Sequence, residues 1–137
     1  MNLTFHEKNL WLLLVALGTA FGWYFVRVLP PQGPDVMPHQ IALFVLVTGV
    51  LVVAEVLGII AIAIVDRRAE RDERDRLIEL KGTRNGAYVL ATGVFAALCT
   101  ALATTGNFAF THVLLASWLL AQLVEIVSQL AMYRRGA

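Results

Sequence analysis

The sequence predicts an all-α membrane protein, a single domain over residues 1–137 built on four transmembrane helices. Three observations predict it. The chain is 58% hydrophobic with a mean hydropathy of +0.71, too apolar for a soluble domain of this length. Its apolar residues run on continuously, where a soluble protein would confine them to periodic stripes. Its charge is gathered in residues 66–84, DRRAERDERDRLIELKGTR, which hold seven of the 11 Lys and Arg and six of the 10 Asp and Glu.

Crossing a bilayer core of about 30 Å takes about 20 apolar residues in a helix. Four segments qualify: about 10–29, 39–65, 86–105 and 108–133. The first is longer than the apolar core of a signal peptide, about 7–15 residues, and lacks a clear A-x-A cleavage site, so it is expected to be retained. Pro30, Pro31, Gly33 and Pro34 close it, and Pro38 opens the second. The linker Thr105, Gly106, Asn107 makes the third and fourth an antiparallel hairpin. The charged segment 66–84 is expected to be a helical cytoplasmic loop.

Lys and Arg in short loops mark the cytoplasmic side. Arg134, Arg135 and Lys8 fall on the same side as the charged loop, with only Arg27 opposite. The expectation is a multi-pass inner-membrane protein with both termini cytoplasmic. Trp11, Trp23, Tyr24 and Tyr133 lie near span ends, as an interfacial aromatic belt requires.

Close helix packing in lipid uses small residues. Gly18-xxx-Gly22 in the first helix, and Gly82-xxx-Gly86 with Gly93-xxx-Ala97-xxx-Ala101 in the third, are the packing signals. Their partner is another helix of the bundle or of a second protomer. The lone cysteine, Cys99, forms no intramolecular disulfide and is expected to be a packed thiol. The second and fourth helices also align, VAEVLGIIAI with LVEIVSQLAM, each followed by an Arg pair. Two hairpins of like orientation would make a parallel repeat about an axis along the membrane normal.

That alignment sets Glu55 over Glu125. Glu55 lies eleven residues before Asp66 and Glu125 nine before Arg134, roughly 14–16 Å from the cytoplasmic boundary and near the midplane. An acid there costs at least about 2.5–3.5 kcal/mol, so both should face the bundle interior or a wet cavity. Trp118, Gln122, Glu125 and Gln129 share one face of the fourth helix; Thr48, Glu55, Gly58 and Asp66 share one of the second. The pattern suits a proton- or cation-binding pair; the competing reading is a protonated Glu bonded to Gln122, Gln129 or a carbonyl.

His39 and His112 begin the second and fourth helices, where solvated helix-end histidines are expected and no metal is. In the charged loop the acids nearly cancel the bases, which argues against nucleic acid. Glu70 with Arg74 and Asp72 with Arg76 are helix-favouring pairs, and Asp72 suits an N-cap. The helix so formed would present Leu77, Ile78 and Leu80 before running into the third span. It is either a solvated extension or a docking surface for a cytoplasmic protein, with Asp72, Glu73, Arg74, Asp75 and Ile78 as docking residues.

Asp72, Glu73, Arg74 and Ile78, placed between a second and a third membrane helix, resemble small uncharacterised prokaryotic four-helix membrane proteins with an Asp-Glu-Arg-x-x-x-Ile-like motif. That resemblance implies an inner-membrane protein and assigns no activity. LVVAEVLGII around Glu55 is more distantly similar to the membrane-embedded Glu helix of small multidrug resistance transporters, which implies proton and cation binding there. This chain departs from those transporters in carrying the Glu in its second helix and in its long charged loop.

No phosphate loop, nucleophile–base arrangement or metal spacing of known type is present in the sequence, so neither catalytic residues nor a cofactor are expected. The sequence points to a homodimer or higher homo-oligomer in the lipid bilayer, a proton- or cation-responsive transporter or channel-like protein. The alternative is a membrane interaction or regulatory protein whose loop docks a partner.

Overall fold

The computed structural model describes residues 4–65 and 73–135. They form four helices running alternately up and down: α1 (Phe5–Val28), α2 (Pro38–Val65), α3 (Glu73–Ala103) and α4 (Phe108–Arg135). Each is long and apolar enough to cross a membrane.

Local chemistry sets the ends. Thr4 and Glu7 form a capping box on α1: the Glu7 amide donates to Thr4 Oγ1 at 3.2 Å and the Thr4 amide to Glu7 Oε2 at 2.9 Å. Leu29 turns extended ahead of Pro30, which ends the helix. At the start of α2, Gln40 Oε1 accepts from the Met37 amide at 3.0 Å. The third helix begins earlier than the apolar run suggests: the charged extension and the span are one helix of 31 residues, about 46 Å long. Its expected cap, Asp72, lies outside the described residues.

Packing is uneven. The closest pair is α3 with α4, while α1 packs on both α2 and α4. Gly82, Gly86, Gly93 and Ala97 put the α3 backbone against α4: a Cβ on Gly82 would meet Gln129, one on Gly86 the Ala121 carbonyl, and one on Gly93 Ser117. Ala97 is fully buried, whereas Ala101 is exposed. The second helix leans on α1 and stands clear of α3 and α4 for most of its length.

The core runs along α1 (Leu10, Leu17, Phe21, Tyr24, Val28) and takes in Val47 and Leu51 of α2 and Phe108, Ile126 and Leu130 of α4. Outside it the surface is hydrocarbon, including Phe95, Leu102, Val45, Val53 and Ile64. An apolar exterior of that extent is incompatible with water and suited to lipid.

Two junctions tie the ends. At one end the loops meet: the Phe108 amide donates to the Pro34 carbonyl at 2.9 Å, the Val36 amide to Asn107 Oδ1 at 2.8 Å, and the Asn107 amide to Asp35 Oδ1 at 3.2 Å. Gly106 has φ +80° there, with the Pro34 carbonyl where a Cβ would stand. At the other end the Tyr133 hydroxyl donates to Asp75 Oδ1 at 2.7 Å, and the Arg134 guanidinium lies 5.6 Å from the Trp11 ring.

Gly18 and Gly22 meet no other helix of the bundle, since no atom lies within 4 Å of a Cβ built on either, which leaves the second-protomer alternative for that face. Two expectations are corrected. Cys99 is exposed on the apolar exterior, not packed. Tyr24 is 2% exposed and belongs to the core rather than to an aromatic belt.

Candidate functional site

The two membrane acids occupy equivalent places, each 17 residues into its helix, Glu55 from Pro38 and Glu125 from Phe108. Their surroundings differ. Glu125 sits in the α3–α4 seam, where Thr83 Oγ1 donates to its Oε1 at 2.7 Å and Gln129 Nε2 approaches the same oxygen at 3.5 Å. Its Cβ lies 3.1 Å from a Cβ built on Gly86, so the absence of a side chain there makes room for the carboxylate. On α3 this level is Thr83 to Gly86, beside Arg84, where the charged extension gives way to the apolar span. Glu125 is therefore level with the place where the charged extension of α3 passes into its apolar run.

Glu55 lies on the stripe of α2 that faces α1, with Val47, Thr48, Leu51 and Gly58. Gly58 receives the Leu12 side chain, which brings α1 close at this level. The expected shared face of Thr48, Glu55 and Gly58 is present, while Asp66 lies outside the described residues. Glu55 Oε1 and Thr48 Oγ1 are both buried, and neither has a hydrogen-bond partner. A carboxyl oxygen left unmet among apolar side chains is costly. A native structure retains such a group when a proton, an ion or an assembly partner can meet it.

No hydrogen bond joins Glu55 to Glu125 among the described residues; one belongs to the α1–α2 interface and the other to α3–α4. Of the remaining expected residues, Gln129 is buried beside Gly82 and touches Glu125, and Gln122 is half-buried on α4. Trp118 is elsewhere, edge-on to Phe21 at 5.9 Å toward the loop end.

In the charged extension, Glu73, Arg74 and Asp75 open α3, and Asp75 is engaged by Tyr133. Ile78, expected on the docking surface, is 3% exposed and packed inward, whereas Leu77 and Leu80 point out. A 3.6-residue period cannot present 77, 78 and 80 on one face.

Sequence reasoning missed the polar centre of the loop end. His112 is buried: its Nδ1 lies 2.9 Å from the Phe108 carbonyl and its Nε2 3.1 Å from the Tyr24 hydroxyl. The carbonyl can only accept, so Nδ1 carries the proton and Nε2 accepts from the tyrosine. His39, by contrast, is exposed as expected, and no cluster among the described residues could hold a metal ion. Beside this pair opens a cleft of about 460 Å³ between α2 and the α3–α4 hairpin. Gln40 lines it and is 2% exposed.

Comparison of the chain with protein-family models, with curated proteins and with solved structures finds no match.

Proposed function

We propose that the chain is a multi-pass inner-membrane protein, both termini cytoplasmic, in which Glu55 is a proton- or cation-responsive site of a small transporter or channel-like protein. The observation that carries this reading is the buried Glu55 Oε1 with no hydrogen-bond partner. Glu125, met by Thr83 and Gln129, serves as a seam between α3 and α4. The sequence alignment of α2 with α4 supports descent from a repeated hairpin whose two acids have since diverged in role. The protein acts as a homodimer or higher homo-oligomer, and the open Gly18 and Gly22 face of α1 supports assembly there.

The test is infrared spectroscopy of the carboxyl band across pH on reconstituted protein. Glu55→Gln should remove a band that responds to pH, and Glu125→Gln should not. A wild-type band that does not change with pH, or one that survives Glu55→Gln, defeats the proposal.

A second reading rests on the exposed Leu77 and Leu80, two apolar side chains on the α3 extension. They suit a cytoplasmic protein partner, with the interaction rather than transport as the function. A photo-crosslinking residue at Leu77 should then form a discrete protein adduct in cells that one at the outward-facing Leu98 does not. Equal labelling from both positions argues against it.

A further inference from the structure

The cleft at the loop end follows from the uneven packing. Because α2 leans on α1, a gap is left to α3 and α4, floored by Tyr24 and walled by Phe44, Leu90, Thr111 and Trp118. Its volume of about 460 Å³ lies within the usual range for small-molecule sites, roughly 300–1,000 Å³. No Asp, Glu, Lys, Arg or His lines it, so it offers a charged ligand no counter-ion. Four aromatic side chains, Tyr24, Phe44, Phe110 and Trp118, share the lining with aliphatic ones, and the Tyr24 and Phe44 rings are 6.0 Å apart. Rings so placed can pack edge-to-face or offset against an aromatic ligand.

One buried polar group lines the cleft with hydrogen-bonding capacity to spare. Gln40 is 2% exposed and its Oε1 is taken by the Met37 amide, which leaves its Nε2 as a donor without a hydrogen bond. The Tyr24 hydroxyl is committed to His112. The cleft is partly open, and Ile41 and Phe44 at its edge belong to the apolar exterior, so entry is from the lipid.

We propose that this cleft binds a neutral, membrane-dissolved ligand of the quinone class, a planar ring stacked among Tyr24, Phe44 and Trp118 with one carbonyl accepting from the Gln40 amide. An attached apolar tail would leave past Ile41 into the bilayer. This site is independent of Glu55, which lies two-thirds of the way along α2 from Pro38.

The experiment uses the full chain in lipid nanodiscs, with Trp11 and Trp23 changed to Phe so that Trp118 reports alone. Decylubiquinone is the probe and decylbenzene, which lacks the carbonyls, its control. Saturable quenching by the quinone is expected, about tenfold weaker in Gln40→Glu at a pH where the new carboxyl is ionised, since that change keeps the acceptor for Met37 and removes the amide donor. The double change Thr111→Phe with Leu114→Phe fills the cleft and should abolish saturation while Gln40 is untouched. Quenching that never saturates, or is the same in all variants, overturns the proposal. So does decylbenzene competing as well as the quinone, which would make the cleft a seat for a lipid chain.

Discussion

The Tyr24 hydroxyl and His112 Nε2, 3.1 Å apart and 88 residues distant in sequence, join the end of α1 to the start of α4. Both side chains are buried, so the hydroxyl and Nε2 depend on each other for a partner, while Nδ1 is held by the Phe108 carbonyl. Tyr24→Phe strands the histidine nitrogen and should cost about 1–3 kcal/mol, read as a lower melting temperature in detergent. An unchanged melting temperature would mean that water reaches the nitrogen.

The glycines make opposite predictions. In Gly86→Ala the new Cβ would lie 2.9 Å from the Ala121 carbonyl oxygen, a backbone atom that cannot step aside. Forcing the α3–α4 seam apart should cost about 1–3 kcal/mol in thermal unfolding. Gly18→Ala meets nothing within 4 Å and replaces a poor helix former, so protomer stability should not fall. Any loss there must come from assembly and should appear as a smaller particle by light scattering.

Gly106 combines φ +80° with the Pro34 carbonyl at its Cβ position. Gly106→Ala therefore faces a conformational cost of roughly 1–2 kcal/mol and a clash as well. Hydrogen exchange should show the Val36 and Phe108 amides losing protection while amides in the middle of α3 keep theirs.

Topology can be tested with single cysteines. Cys99 lies on the exterior and can be changed to Ala at little cost. Asn107 is a poor labelling position because it bonds both Val36 and Asp35; Thr105, which is exposed, is better. With both termini cytoplasmic, cysteines at Gln32 and Thr105 should react with an impermeant reagent in intact cells and one at Arg71 should not. Reaction at Arg71 would invert the orientation.

The spans were legible because each is a long apolar run cut by Pro or Gly. The start of α3 was legible as well, since the acid–base pairs and a cap at Asp72 predict a helix that runs into the third span, and α3 opens at Glu73. Small-residue spacing found Gly82, Gly86, Gly93 and Ala97, yet the same spacing misled at Ala101, which is exposed, and at Gly18 and Gly22 it marks a face that no helix of the bundle covers. In lipid the covered and uncovered faces of a helix are equally apolar, so spacing cannot say which is which. Matching Glu55 to Glu125 gave their equal place along α2 and α4, but the 2.7 Å hydrogen bond that distinguishes their surroundings comes from Thr83, on a third helix. His112 was unreadable because its partner is at the far end of the chain.

The loop junction bears on how the protein is made. Its three hydrogen bonds all run between the segment after α1 and the segment before α4, so none can form within a single hairpin. A nascent chain whose second hairpin entered the bilayer upside down would hold Asn107 about 30 Å from Pro34, on the wrong side of the hydrocarbon. The junction can therefore close only when both hairpin turns emerge on one face. A chain threaded the other way would leave the Val36, Asn107 and Phe108 amides without these partners.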